Sequence, residues 1–285
     1  MSTIGELLDT LAVQLAGEDV PPARADARDL IAAVLDQPRF WPSAHRDDAI
    51  DDVVQNRVEI AAHRWREGMP FQYAVGKASF RHLTLSVDPR VLIPRPETEL
   101  LVDLVLLTAG SNGEVADVGT GSGAIALSLA AEGNFSRIIA TDVSADALAV
   151  ARANLRSLPE ERRAVVEFVE GDLLAPLRGL QLRALASNPP YISTAEKGDL
   201  PTAVRDWEPH LALFSADNGM RAIRDILRGA PEVLEPGGVL VMELDAGRAS
   251  ATVAEATTDA RWRSVELRHD LTGRERFLVA RRQER

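Results

Sequence analysis

Val115-Ala116-Asp117-Val118-Gly119-Thr120-Gly121-Ser122-Gly123 is a short apolar run that ends in three glycines at alternate positions. Val115 to Val118 reads as a buried strand, and Ala124 to Ala131, directly after, reads as a helix. Glycines permit a tight strand-to-helix turn and let a ligand approach the backbone closely. Free N–H groups at the start of the helix attract polar or negative ligand atoms. The spacing is G-x-G-x-G, whereas the dinucleotide fingerprint is G-x-G-x-x-G, and Asp117 stands where that fingerprint carries an apolar residue. Both departures count against a dehydrogenase. An acid at the end of this strand can hold a cationic amino group, directly or through water. The pattern therefore favours a ligand bearing an amino acid over one bearing a pyrophosphate.

Downstream the strand–helix alternation continues. Arg137 to Thr141 reads as a strand, Ala145 to Leu155 as a helix, and Val165 to Val169 and Leu182 to Ala186 as further strands. Met220 to Leu234 reads as a helix, Gly237-Gly238 lead into a strand from Val239 to Leu244, and Arg274 to Ala280 reads as the last strand. Repeated β-α-β units predict a doubly wound, mostly parallel sheet. Such sheets bind ligands beyond the C-terminal ends of their strands, so the residues ending each strand carry the functional signal. Asp142 ends the second strand. Its carboxylate can accept both hydroxyls of a ribose, or Asp142 and Ser144 can cap the next helix. Gly171-Asp172-Leu173 ends the third. Asp172 can take the exocyclic amine of an adenine with Leu173 against its ring, or the three residues form an ordinary turn.

Asn188-Pro189-Pro190-Tyr191 follows the Leu182 to Ala186 strand. The two prolines stop the strand and hold the backbone extended. The Asn188 side-chain carbonyl can accept from a substrate NH2 group, and the carbonyl of Pro189, a residue with no N–H, is a second acceptor. Tyr191 offers a flat face for stacking. Two acceptors aimed at one NH2 would grip a planar nitrogen and aim its lone pair. Taken alone, the tetrapeptide is equally an Asn-capped Pro-Pro turn.

Upstream the texture is different. Ile4, Leu7, Leu8, Leu11 and Leu15 recur at helical spacing, Pro21-Pro22 break the chain, Ala23 to Leu35 reads as a second helix, and Asp47 to Arg66 reads as one or two more, stopped by Gly68 and Pro70. From Phe71 to Val91 the pattern changes, and Phe80, Leu83, Leu85 and Val87 suggest strands or a hairpin. Leu92-Ile93-Pro94-Arg95-Pro96-Glu97-Thr98-Glu99 then leads into an apolar helix from Leu100 to Leu107, with acids in its first turn where they complement the helix dipole. Arg95 and Glu97 either line a site or form an internal ion pair. The expected organisation is a helical domain over 1–75, a β-hairpin linker over 76–93 with flexibility near 75 to 90, and a catalytic α/β domain over 94–285.

Composition narrows the classes. The 285 residues include no cysteine, which excludes disulfides, thiolate catalysis and cysteine zinc sites. The net charge of -11 disfavours a broad phosphate-binding surface. Arg261 to Arg285 is arginine-rich but interleaved with acids, and reads as solvated sheet edge and tail. The N-terminus is acidic where a signal peptide is basic, and no apolar run approaches the ~18 residues a membrane span needs. A cytoplasmic protein is expected. None of the five histidines (His45, His63, His82, His210, His269) pairs at metal-ligand spacing, and no metal is expected.

Together these motifs resemble those of Rossmann-like methyltransferases that use S-adenosylmethionine. With Gly68-Met69-Pro70-Phe71-Gln72-Tyr73, Gly76 and Val91 to Glu99 added, the chain resembles the HemK family, the glutamine methyltransferases that modify peptide chain release factors. The resemblance implies an S-adenosylmethionine-dependent methyltransferase sheet with a small all-α N-terminal domain for release-factor recognition. It implies transfer to the N5 amide nitrogen of the glutamine in the GGQ motif, with S-adenosylhomocysteine as product. Asp117, Gly119, Thr120, Gly121, Ser122 and Gly123 would cradle the methionine part, Asp142 the ribose, and Asp172 and Leu173 the adenine. Asn188, Pro189, Pro190 and Tyr191 would bind the glutamine side chain, with Asn188 also bordering the cofactor. The chain departs from the family at Leu173, often aromatic there, and at Phe80-Arg81-His82, where a small residue near Arg81 is usual. A monomer is expected, with no membrane and no direct nucleic-acid contact. The same N-P-P-Y tetrapeptide occurs in adenine-N6 methyltransferases of DNA and RNA, where it would hold a flipped base. The acidic charge argues against that reading. A non-catalytic module that binds the cofactor or a partner is a third reading.

Overall fold

The structure, a computed structural model, describes residues 2–16, 22–110 and 112–284. It divides into two units: residues 1–77 with Pro201–Trp207, and residues 78–200 with 208–285.

The first unit contains α1 (Ile4–Ala16), α2 (Arg24–Leu35), α3 (Trp41–Ala44), α4 (Asp52–Arg66) and α5 (Phe71–Val75). Ile4, Leu7, Leu8 and Leu11 share one face of α1 and are buried with Leu30 and Ile31 of α2 and Val58 of α4. Leu15 packs at the edge of that cluster. Pro21 of the expected Pro21-Pro22 break lies outside the described residues. The region from Asp47 holds one α-helix, α4, because Asp51 caps it by accepting from the Val54 N–H at 2.8 Å. Phe71–Val75, where a strand pattern was expected to begin, is helical. Pro70 occupies the position before its first turn, and Gly76, at φ 75°, ends it.

Next come β1 (Lys77–Phe80), β2 (Leu83–Ser86), α6 (Glu99–Ala109), β3 (Glu114–Val118), α7 (Ala124–Glu132), β4 (Arg137–Asp142), α8 (Ala145–Asn154), α9 (Glu160–Arg163), β5 (Val166–Glu170) and β6 (Leu182–Ser187). They are followed by α10 (Thr202–Trp207), α11 (His210–Leu213), α12 (Arg221–Val233), β7 (Leu234–Glu243), α13 (Ala246–Thr257), β8 (Trp262–His269) and β9 (Glu275–Arg282). The large sheet has the order β5-β4-β3-β6-β7-β9-β8. Strands β3 to β7 pair in parallel, and β9 runs antiparallel to both β7 and β8. The first strand of this sheet, β3, lies inside it, with β4 on one side and β6 on the other. The chain order reverses there, which opens a crevice beyond the ends of β3 and β6.

Side chains alternate between two buried faces. Val115, Ala184, Val239 and Val241 pack with Leu101, Val105 and Leu127 of α6 and α7. Ala116, Val118, Leu185, Leu240 and Met242 pack with Ile223, Ile226 and Leu227 of α12. This two-sided burial explains the near-continuous apolar strands. β8 escaped the sequence reading because, as the outer strand, it carries charged residues between apolar ones, and β7, expected from Val239, begins at Leu234, so Gly237-Gly238 lie within it.

The β1–β2 hairpin is tied to the helices of the second unit. Arg81, in the turn at φ 51°, donates from its backbone N–H to Glu99 Oε1 at 2.9 Å. Its guanidinium donates to both Glu132 carboxylate oxygens at 2.7 and 2.6 Å and lies 2.7 Å from Asp103. Asn154 bonds both the N–H and the carbonyl of Ser86, at 2.7 and 3.0 Å. These contacts hold Arg81 and Ser86 of the hairpin against α6, α7 and α8. Among the described residues, no helix is long and apolar enough to cross a membrane. Arg81→Ala would strand two carboxylates and release the turn. A loss of about 3 kcal/mol in urea unfolding is expected; a loss below about 0.5 kcal/mol would show that the pair behaves as a surface one.

Candidate active site

A cavity of about 570 Å³ lies beyond the strand ends. Gly119, Gly121, Asp142, Asp172, Leu173, Asn188 and Pro190 line it, with Pro89 to Leu92 and a rim that includes Pro209, Leu211 and Phe214. The glycine loop after β3 is held from behind, since the N–H groups of Gly119 and Thr120 both donate to the Thr141 carbonyl at 2.9 Å. Gly119 and Gly121 adopt φ of 77° and 54°, and a Cβ on either would meet no protein atom within 4 Å. Their backbone is thus the wall of an open cradle.

Thr120, Ser122 and Gly123, expected to share that cradle, do not line the cavity. Thr120 and Ser122 are buried, and Gly123 brings α7 against α8, where a Cβ would lie 3.3 Å from Ala151. Asp117 is also placed differently from the expectation that it holds a ligand amino group. It has no accessible surface; its Oδ2 accepts from Thr120 Oγ1 at 2.6 Å and from the Ala126 N–H at 3.1 Å, so it binds the loop to α7. Its Oδ1 is buried with no hydrogen-bond partner among the described residues. Burial pushes its pKa up from 3.8 to about 7, against the lowering effect of those two bonds.

Asp142 accepts from the Gly121 N–H through Oδ2 and from the Ser144 N–H through Oδ1, both at 2.9 Å. Ser144 itself caps α8 by accepting from Ala147. Asp142 is left to join the glycine loop to the cavity, and with the Val143 N–H also bonding its carboxylate it keeps acceptor capacity toward the cavity. Burial raises its pKa. Leu173 borders the cavity in the left-handed conformation, at φ 46°, a strained choice for a residue with a Cβ.

In the tetrapeptide, Asn188 and Pro190 face the cavity and Pro189 is buried. Tyr191, expected to stack on a planar group, instead packs against the α12-side core, and burial pushes its hydroxyl up to about 12. Ser187 Oγ donates to the Val118 carbonyl at 2.7 Å, tying the end of β6 to β3. Asn188 Nδ2 donates to Thr98 Oγ1 at 3.2 Å, and Thr98 Oγ1 donates to Glu243 Oε2 at 2.7 Å.

The sequence reading missed Thr98 and Glu243. Glu243 has the signal that marked Asp117 and Asp142, an acid ending an apolar strand. It is 2% exposed, and burial pushes its pKa up to about 7 despite the Thr98 bond and the nearby Arg276 cation. Of the other two candidates, Arg95 pairs with the buried Glu208 at 2.7 Å and Glu97 is exposed; neither lines the cavity. Among the described residues, no group of three or more His, Cys, Asp or Glu is placed to hold a metal.

Comparison with known proteins places the chain among methyltransferases. Family profiles match at residues 96–203 (Methyltransferase small domain) and 6–76 (PrmC N-terminal domain). The release factor glutamine methyltransferase of Moorella thermoacetica is 40% identical over 287 residues, covering 99% of this chain and 100% of its own. That of Deinococcus radiodurans is 38% identical over 279 residues, covering 97% and 98%. A crystal structure of a Pyrococcus furiosus methyltransferase matches with a TM-score of 0.55 at 19% identity, over 77% of this chain and 98% of its own. The fold is thus that of the Rossmann-like methyltransferases.

The buried Asp117 gives a pH test. Folded, it keeps its proton to about pH 7; unfolded, it releases it near 3.8. Its burial therefore costs nothing at low pH, costs more as pH rises towards 7, and levels off above. Asp117→Asn keeps an acceptor for the loop and removes this dependence. Between pH 5 and pH 8 the difference in unfolding free energy should move in favour of the variant. A difference that is flat or moves the other way would rule out a raised Asp117 pKa.

Proposed function

The chain belongs to the release factor glutamine methyltransferase family, and on that premise we propose that it methylates the N5 amide nitrogen of the glutamine in the GGQ motif of a peptide chain release factor, with S-adenosylmethionine as donor. The observation that carries the reading is Asn188. It lies on the cavity wall with its NH2 bonded to Thr98, and no hydrogen bond reaches its Oδ1 among the described residues.

The cavity lining suits the donor. Asp142 would hold the ribose hydroxyls with its remaining lone pairs, the open backbone of Gly119 and Gly121 would admit the methionine part, and Asp172 and Leu173 would border the adenine. When bound, S-adenosylmethionine supplies an electrophilic methyl group on a sulfonium and leaves as a neutral thioether. The chain has to prepare the acceptor. An amide nitrogen is a poor nucleophile because its lone pair is delocalised. Asn188 Oδ1 and the Pro189 carbonyl would accept from its two N–H groups, which enriches the nitrogen and fixes its direction. Orientation of this kind contributes several kcal/mol, up to about 7–11 in the best intramolecular cases. Pro190 would exclude water from that side. The surplus proton is released after transfer, when the nitrogen is acidic. The helical first unit would recognise the release factor, and the enzyme would act in the cytoplasm.

The test is transfer of labelled methyl to a purified release factor, to its GGQ Gln→Ala variant and to duplex DNA. Label on the first alone is expected. Asn188→Ala should lower kcat about 100-fold with little change in donor affinity, and Asp142→Ala should weaken donor binding in calorimetry. Label on DNA alone would overturn the reading.

A further inference from the structure

We infer that Thr98 and Glu243 are positioning residues that fix the orientation of the Asn188 amide, so that Oδ1 and not NH2 faces the acceptor. The inference rests on the reading of Asn188 given above.

Thr98 occupies the position immediately before α6. It is itself helical (φ -64°, ψ -19°) and closes a 3-10 turn, Pro96–Thr98, that runs into α6, so its side chain has no capping role. Its hydroxyl, on a residue 5% exposed, is turned to Glu243 and Asn188. Glu243 reaches the same point from the other side. Met242 pairs with Ser187 in the parallel β6–β7 register, so the next residue on each strand, Glu243 and Asn188, lie beside one another.

The direction follows from the chemistry of the three groups. Above about pH 7 the Glu243 carboxylate is ionised and only accepts, so the single Thr98 proton is committed to it. Only lone pairs then remain on Thr98 Oγ1 for Asn188, and they require a donor. The amide must present Nδ2 to Thr98, which turns Oδ1 to the cavity. Rotated by half a turn, the amide would set Oδ1 against Thr98 Oγ1 with no proton between them. A neutral glutamine at 243 can donate as well as accept and would permit both orientations. Burying a carboxylate is costly, and the one-way character of its hydrogen bonds is what a neutral residue cannot supply.

The experiment compares Thr98→Val, Thr98→Ser, Glu243→Gln and the Val/Gln double variant with Asn188→Ala. It reads kcat and KM with a release factor, calorimetric donor affinity and melting temperature. Thr98→Val is expected to lower kcat about 10- to 100-fold with donor affinity within about twofold. Thr98→Ser should recover most of the rate, and Glu243→Gln should lower kcat about tenfold. The double variant should be no slower than Thr98→Val, since the relay is already cut. Multiplied costs in the double variant, or equal rates for Thr98→Val and Thr98→Ser, would overturn the relay. Wild-type kcat in Thr98→Val alongside a slow Asn188→Ala would overturn the relay and leave the Asn188 reading standing. Wild-type kcat in Asn188→Ala would remove both. If Thr98→Val fails to melt cooperatively, wild-type kcat in Glu243→Gln overturns the inference by itself.

Discussion

A parallel sheet buried on both faces has one region for polar side chains, the C-terminal ends of its strands. The middles of β3, β6 and β7 are filled on both faces by apolar side chains such as Val115, Ala116, Leu185, Leu240 and Val241, and a charged group there would lose its water with no partner in return. Polar residues therefore collect where the strands stop. Asp117 lies one residue before the end of β3, Asp142 ends β4, Asn188 follows β6 and Glu243 ends β7. The parallel register sets Val118 beside Thr141 and Ser187, and Ser187 beside Met242. Groups far apart in the chain become neighbours as a consequence of strand pairing.

This constraint divides the polar residues into two kinds. Asp142 and Asn188 face the cavity with acceptor capacity to spare. Asp117, Thr98 and Glu243 lie behind them, buried and bonded to the elements that carry the cavity wall. Burial pushes both of those rear carboxylates up to about 7, which is consistent with positions kept for their bonding geometry at a cost in stability.

The cavity-facing residues were legible because their signals are local. A glycine loop, an acid at a strand end and an N-P-P-Y tetrapeptide each lie within a few residues. What was not legible depends on distance or on packing. The Thr98–Glu243 bond joins residues 145 apart, and no spacing rule anticipates it. The direction of Tyr191 is decided by the core that receives its ring. The same tertiary override made a helix of Phe71–Val75, whose aromatic residues suit a strand but whose flanking Pro70 and Gly76 frame a single helical turn. β8 was hidden because an edge strand need not be apolar on both sides.

Leu173 shows how such a site constrains the drift of its own sequence. Its left-handed backbone (φ 46°) is one that glycine adopts at no steric penalty, so stability alone would favour a change to glycine there. The cavity wall would then lose the Leu173 side chain from its lining. Selection for chain stability and selection for a filled wall act in opposite directions on this one codon. The lineage can exchange leucine for other bulky residues only among those whose contacts repay the backbone strain, and the range of tolerated residues at 173 should be narrower than its partial exposure suggests.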